Sequence, residues 1–248
     1  MSDQQTPPRY PDLADDDAYE GALSTLAVVT DALLDDVKAL DDAEVAGPSR
    51  CEGWTRGHVL THLARNADGF ANLLEWARTG VETPMYASRE ARDADIETGS
   101  GRSASEIEAD VDASAERLLA AVAALPVERR HVPVRAGSGV ELLAHDVLWW
   151  RTREVAYHHV DLRGTYSFAH LPDWVVARGL DESAVRMTDE SAPSLTLVAT
   201  DTGQRGEVSG GGPAVRGLAS DLLAWVTGRE DGSALDTDGP LPALPPWG

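Results

Sequence analysis

Residues 140–163 read VELLAHDVLWWRTREVAYHHVDLR, and this stretch decides the fold. Leu143, Val147, Trp150, Glu154 and His158 follow one another at intervals of four, three, four and four, the spacing of one face of an α-helix. The run from about Val140 to Arg163 is therefore expected to form one long helix, which at about 1.5 Å per residue crosses a domain. Its face changes from apolar to ionisable at Glu154. A carboxylate aimed into a helical bundle is costly unless something neutralises it, and a cation shared with His158 would do so. A hydrogen-bonded Glu-His pair, or a stripe that emerges into solvent, explains the same spacing without a metal.

Three further amphipathic helices precede it. Leu23, Leu26, Leu33, Val37 and Leu40 recur on one face of the first, which ends at the Gly47-Pro48 turn. Thr55 is a plausible N-cap for the second, whose stripe is Leu60, Leu63, Ala67, Phe70 and Leu74 before Gly80 and Pro84. Residues 84–104, rich in charge, Gly and Ser, read as a long irregular connection. Ser105 with Glu108 forms a capping-box signal for the third, which carries Ile107, Val111, Leu118, Val122 and Leu125 and stops at Pro126. After Pro172 a short helix is expected. Leu195, Leu197 and Ala199 then alternate, Asp201-Thr202-Gly203 makes a turn into Gly206–Val208, and a last helix carries Leu218, Leu222, Trp225 and Val226. The fold class is α+β: a mainly helical four-helix bundle with a small C-terminal α/β domain. The expected division is an acidic N-terminal tail over 1–17, the bundle over 18–168 and the small domain over 169–248.

Two residues on one helix rarely complete a metal site, so a second element must contribute. The second helix offers His58, in its first turn and expected to be exposed, and His62, two turns in beside Leu63 and Asn66; His62 is the better ligand. His62, Glu154 and His158 together resemble catalytic zinc sites that keep a fourth position for water or substrate. His159 is rotated about 100° from His158 and faces elsewhere. His131, His145 and His170 lack a comparable partner at helical spacing. The HExxH pattern of metalloproteases is absent. Cys51, near Trp54, is a rival ligand or nucleophile but reads better as a small buried residue, because nothing basic is fixed beside it in sequence.

Composition narrows the classes. The 248 residues contain 42% hydrophobic side chains, enough for a core, and a net charge of -21, which would repel phosphate backbones and argues against nucleic acid as a partner. No apolar run has membrane-spanning length and residues 1–4 lack the features of a secretory signal, so no membrane role and a cytoplasmic location are expected. The single cysteine agrees with a reducing compartment.

The stretch 51–64, Cys51-Glu52-Gly53-Trp54-Thr55-Arg56-Gly57-His58-Val59-Leu60-Thr61-His62-Leu63-Ala64, resembles the first signature of the mycothiol-dependent maleylpyruvate isomerases. Pro84-Met85-Tyr86, the run from Arg89 to Ile96, the run from Arg153 to Leu162, Trp225-Val226-Thr227-Gly228-Arg229 and Leu244-Pro245-Pro246-Trp247 are similar to that family in order and spacing. The resemblance extends over nearly the whole chain after the first twenty residues and implies the wider DinB-like group of metal-binding bundles, with ligand positions matching His62, Glu154 and His158. It implies zinc as the divalent metal, although such ligands also accept iron, cobalt or nickel. It further implies mycothiol as cofactor and, as reaction, the isomerisation of maleylpyruvate to fumarylpyruvate in gentisate breakdown.

A cis double bond does not rotate thermally, whereas reversible addition of a thiolate leaves a single bond that can turn before elimination. Coordination to a dication deprotonates a thiol that would otherwise have a pKa near about 8.5. A cation should also meet the substrate carboxylates and the keto oxygen on which charge accumulates. Arg229 is the first candidate for this catalytic and substrate-binding role, and Arg92 is a second substrate-binding candidate. Two other readings use the same residues: a mycothiol S-transferase acting on electrophiles, and a non-catalytic metal- or thiol-binding module that regulates a partner.

Overall fold

The structure, a computed structural model, describes residues 10–190 and 192–247. It divides into two compact units, Asp12–Thr165 and a second containing Tyr166 onward together with Tyr10 and Pro11.

In the first unit α1 (Asp16–Lys38), α2 (Asp42–Val45), α3 (Arg56–Thr79), α4 (Arg89–Ser100) and α5 (Ala104–Ala124) lead through a short hairpin, β1 (Pro133–Arg135) and β2 (Glu141–Leu143), into α6 (Val147–Asp161). Helices α1, α3, α5 and α6 form the bundle: α3 packs on α5 and α6, and α1 on α6 and α5. The Asp15 side chain caps α1 by accepting from the Ala18 N–H, and Asp16, Asp17 and Lys38 complement its dipole. Tyr19, Ala22, Leu26, Val29, Leu33 and Val37 form its buried stripe. Helix α3 occupies the middle of the unit. Thr55 caps it, and Leu60, Leu63, Ala67, Phe70 and Leu74 are all buried, as their spacing requires. At about 1.5–3 kcal/mol for each large apolar side chain taken from water, this stripe fixes the rotation of α3 and hence where His62 points.

Four local expectations change. The first helix ends at Lys38, short of Leu40 and of the Gly47-Pro48 turn, because the Asp41/Glu44 capping box starts the separate helix α2. Residues 84–104 are not irregular: Ser88 accepts from the Ala91 N–H and starts α4, which packs on α3. Only Ile96 and Gly99 are buried along α4, too few apolar positions to reveal a period. The capping box of α5 is Ser103 with Glu106, two residues earlier than the Ser105/Glu108 reading. Helix α6 begins at Val147, not Val140. Leu143 lies instead at the end of β2, opposite Pro133 and on the exposed side of the hairpin, whereas Leu142 faces Val134 and is buried with it.

In the second unit α7 (Asp173–Asp189) precedes β3 (Leu195–Ala199), β4 (Arg205–Val208), β5 (Ala214–Gly217), α8 (Ala219–Val226) and β6 (Asp236–Thr237). The sheet order is β4-β3-β5-β6. The expected hairpin forms with Leu197 opposite Gly206 and Leu195 opposite Val208, while β3 and β5 run parallel. Helices α7 and α8 pack on each other, with α7 against β4 and α8 against β3 and β5. The whole is mainly helical with a small α/β part. No described helix is long and apolar enough to cross a membrane.

Candidate metal centre

The two helical faces read from the sequence meet. Ligand atoms of His62 on α3 and of Glu154 and His158 on α6 all lie within 4.8 Å of one another. His62 Nε2 is 3.1 Å from Glu154 Oε2, and His158 Nε2 is 3.8 Å from the same oxygen. The two imidazoles stand edge to face, with ring centroids 4.7 Å apart. The His62 side chain is only 7% exposed, whereas Glu154 and His158 keep 23% and 19%, so the cluster is open on one side.

Burial pushes the His62 imidazole down to about 4, and the hydrogen bond with Glu154 offsets this only in part. Burial alone would push the Glu154 carboxyl up. The hydrogen bond from His62 and the nearby Arg153 guanidinium outweigh it and hold the carboxyl well below the usual carboxylate range. A neutral imidazole beside an ionised carboxylate is the protonation state that a cation ligand set needs. Two nitrogens and one carboxylate oxygen also match the chemistry of a divalent metal with an open coordination position. The residues present therefore fit such a metal.

A surrounding layer fixes these side chains. Asn66 Nδ2 donates to Glu154 Oε2 at 3.4 Å, and Asn66 Oδ1 accepts from Arg151 Nη1 at 2.7 Å. The Trp54 ring lies against His62 with centroids 5.6 Å apart. Arg92 Nη2 lies 3.1 Å from His62 Nδ1, and Arg92 Nη1 donates to Asp93 at 2.7 Å. The Arg92 guanidinium sits 5.8 Å from the centre of the Tyr86 ring. Tyr86 is held by close approach. A Cβ on Gly137 would lie 2.9 Å from the Tyr86 ring, and one on Gly69 would lie 2.7 Å from Met85 Cγ and 3.1 Å from Tyr86 Cε1. Burial raises the pKa of the Tyr86 hydroxyl.

The structure thus brings His62, Glu154, His158 and Arg92 together. Arg229 belongs to the second unit, where it is buried just past α8 and donates from Nη1 to the Thr227 carbonyl at 3.1 Å. His58 is less exposed than expected. Its Nδ1 accepts from the Thr55 N–H and its Nε2 is 3.3 Å from Glu97, so it serves the helix cap. His159 faces away, 2.9 Å from Asp36. Cys51 departs from the reading as an isolated buried residue. It is partly exposed and its Sγ lies 4.0 Å from His158 Nδ1 and 3.4 Å from Asp161 Oδ2. Sequence reasoning missed Asn66, Arg151 and Asp161 as members of the site. Each stands one helical step from a member of the cluster: four residues after His62, three before Glu154 and three after His158.

A four-helix bundle with a partly buried two-imidazole, one-carboxylate cluster open on one side defines a metal-binding-capable helical protein joined to a small α/β unit. Residues 26–163 match the family model described as the mycothiol maleylpyruvate isomerase N-terminal domain, and residues 167–246 match the MDMPI C-terminal domain. The chain belongs to the mycothiol maleylpyruvate isomerase family. It is similar to the crystal structure of the mycothiol-dependent maleylpyruvate isomerase, with 30% sequence identity and a TM-score of 0.87 over 92% of this chain and 97% of that one. A point variant of that enzyme matches with the same TM-score and coverage at 29% identity. No curated protein sequence matches the chain.

Proposed function

We propose that the chain is a mycothiol-dependent maleylpyruvate isomerase that converts maleylpyruvate to fumarylpyruvate at a divalent metal held by His62, Glu154 and His158. Family membership supports the activity and the thiol cofactor. The observation that carries the site is the convergence of those three ligand atoms within 4.8 Å at the open side of the bundle. Zinc is the metal proposed on the family resemblance; two imidazoles and one carboxylate with a fourth position available suit its tetrahedral preference and also accept iron, cobalt or nickel. When bound, the dication supplies a deprotonated thiol at neutral pH, the nucleophile that reversible addition to the alkene requires.

The side chains of this protein do the rest. Asn66 Nδ2 donates to Glu154 Oε2, which keeps the carboxylate facing the cluster. Trp54 packs against the His62 ring, tilted by 54° with centroids 5.6 Å apart, and limits the directions the imidazole can take. Arg92, at the His62 ring and over Tyr86, supplies positive charge for an anionic substrate in a protein whose net charge is -21. Arg229 is assigned to a substrate carboxylate on two grounds: the bidentate geometry of guanidinium and the family-like run from Trp225 to Arg229. The single cysteine agrees with a reducing, cytoplasmic site of action, and the net charge of -21 argues against a nucleic-acid partner.

The test combines metal analysis of protein purified without added zinc with the ultraviolet absorbance of maleylpyruvate in the presence and absence of mycothiol. About one divalent metal per chain and thiol-dependent conversion are expected. No conversion, with transfer of the thiol to unrelated electrophiles, would make the chain an S-transferase. Arg229→Ala should lower kcat/KM by about 10²-fold, the scale of one lost transition-state cation contact, while metal content stays at the wild-type level. Unchanged kinetics would transfer the role to Arg92.

A further inference from the structure

Behind the metal-facing edge of His158 lies a carboxylate with no part in the ligand set. Asp161 closes α6, is only 2% exposed, and places Oδ2 2.9 Å from His158 Nδ1. A carboxylate oxygen accepts, so His158 Nδ1 carries the proton and Nε2, the nitrogen turned toward Glu154, keeps its lone pair. The same Oδ2 also accepts from the Cys51 thiol at 3.4 Å. The loop that carries Cys51 is anchored independently. The Arg50 N–H donates to the Asp161 carbonyl at 2.9 Å, and Ser49 Oγ donates to the Trp54 carbonyl at 2.8 Å and accepts from the Cys51 N–H at 3.1 Å.

We propose that Asp161 is the positioning residue of the metal centre, setting the tautomer and ring angle of His158, and that Cys51 steadies Asp161 by donating its thiol proton to it. This rests on the assignment of His62, Glu154 and His158 as metal ligands. It gives the only cysteine of the chain a role outside nucleophilic chemistry and ties the loop over 49–55 to the geometry of α6. Cys51 Sγ, His158 Nδ1 and Asp161 Oδ2 could themselves gather a cation, since they too lie within 4.8 Å of one another. That arrangement would take His158 through its other nitrogen, on the side away from Glu154 and His62. The hydrogen-bonded arrangement keeps both imidazoles available to one cation and is the one argued here.

The test measures zinc affinity of the full chain by competition with a chromogenic chelator, and the visible spectrum of the cobalt-substituted protein without added thiol. Circular dichroism and the melting temperature of the metal-free variants monitor folding. Asp161→Ala should weaken zinc binding about 10–100-fold, the scale seen when such supporting groups are removed. Asp161→Asn, which keeps an acceptor for His158 and nearly the same shape, should recover part of that loss and serves if the alanine variant fails to fold. Cys51→Ala should stay within a few-fold of wild type. The cobalt protein should show no sulfur-to-metal charge-transfer band. Wild-type zinc affinity and an unchanged cobalt spectrum in both Asp161 variants would overturn the proposal. So would a thiolate band that Cys51→Ala abolishes, since it would make Cys51 and Asp161 ligands. Failure of the wild-type chain to bind zinc would remove the metal assignment itself.

Discussion

His62→Ala is expected to bring metal content to background and to abolish isomerisation. The two ligands left, Glu154 and His158, sit on one helix, and neither lies on α3. His62 is also the most buried member of the cluster, so its removal opens the closed wall of the site. A Lewis-acid centre contributes several kcal/mol to the transition state. Loss of about 4 kcal/mol corresponds to about a thousandfold in rate, which makes a residual activity near the thiol-only background the expected reading. Wild-type protein should also gain about 2.7 kcal/mol of stability when zinc stands at about a hundred times its Kd, and His62→Ala should gain none. His58→Ala is the control on the same helix: it removes a group that pairs with the Thr55 cap and Glu97. That change should lower stability by about 1 kcal/mol while leaving metal content and turnover intact. Full zinc occupancy and normal turnover in His62→Ala would take His62 out of the site.

The convergence of His62, Glu154 and His158 was legible because helical spacing is rigid. Glu154 and His158 are four residues apart at the end of an apolar stripe, and the α3 stripe from Leu60 to Leu74 fixes the rotation of His62. The hairpin from Leu195 to Val208 was equally plain, since apolar Leu195, Leu197 and Ala199 at every second position and an Asp-Thr-Gly turn leave little choice. The start of α6 was not. Pro133–Arg135 and Glu141–Leu143 are strands of three residues each, too short for alternation to compete with a helical count that happens to include Leu143. Helix α4 was hidden for the opposite reason, because it buries little and its Ser88 cap lies in a run of charged residues. The pairing of Cys51 with Asp161 spans 110 positions. No local pattern encodes it, and only the packing of the loop over 49–55 on the end of α6 brings the two together.

Arg151→Ala should destabilise the bundle by about 3–5 kcal/mol and weaken metal binding at the same time. Arg151 is 1% exposed, and burial lowers its pKa to about 10, which still leaves it protonated at neutral pH. Its Nη1 donates to the Leu63 carbonyl at 2.8 Å and to Asn66 Oδ1 at 2.7 Å, so it ties α6 to the turn of α3 that carries His62. Truncation removes a long stem from a closed interior, where large-to-small changes cost about 2–5 kcal/mol. It also takes from the buried Asn66 Oδ1 a charged donor, a loss of about 1–3 kcal/mol. Relief of the desolvated guanidinium offsets part of that sum. Arg151→Met restores most of the volume and removes the charge, so its cost should fall to about 1–2 kcal/mol in urea denaturation of the metal-free protein. A purely structural role would end there. Asn66, however, passes the restraint on by donating to Glu154 Oε2. Freed from Arg151, its amide can turn, and the carboxylate loses the group that aims it at the cluster. Zinc affinity of Arg151→Met should therefore drop about tenfold, the lower end of what supporting groups contribute. Asn66→Ala should reproduce that drop, and combining the two changes should add little, because they act on one chain of contacts. Additive losses in the double variant would mean that Arg151 and Asn66 reach the metal centre by separate routes.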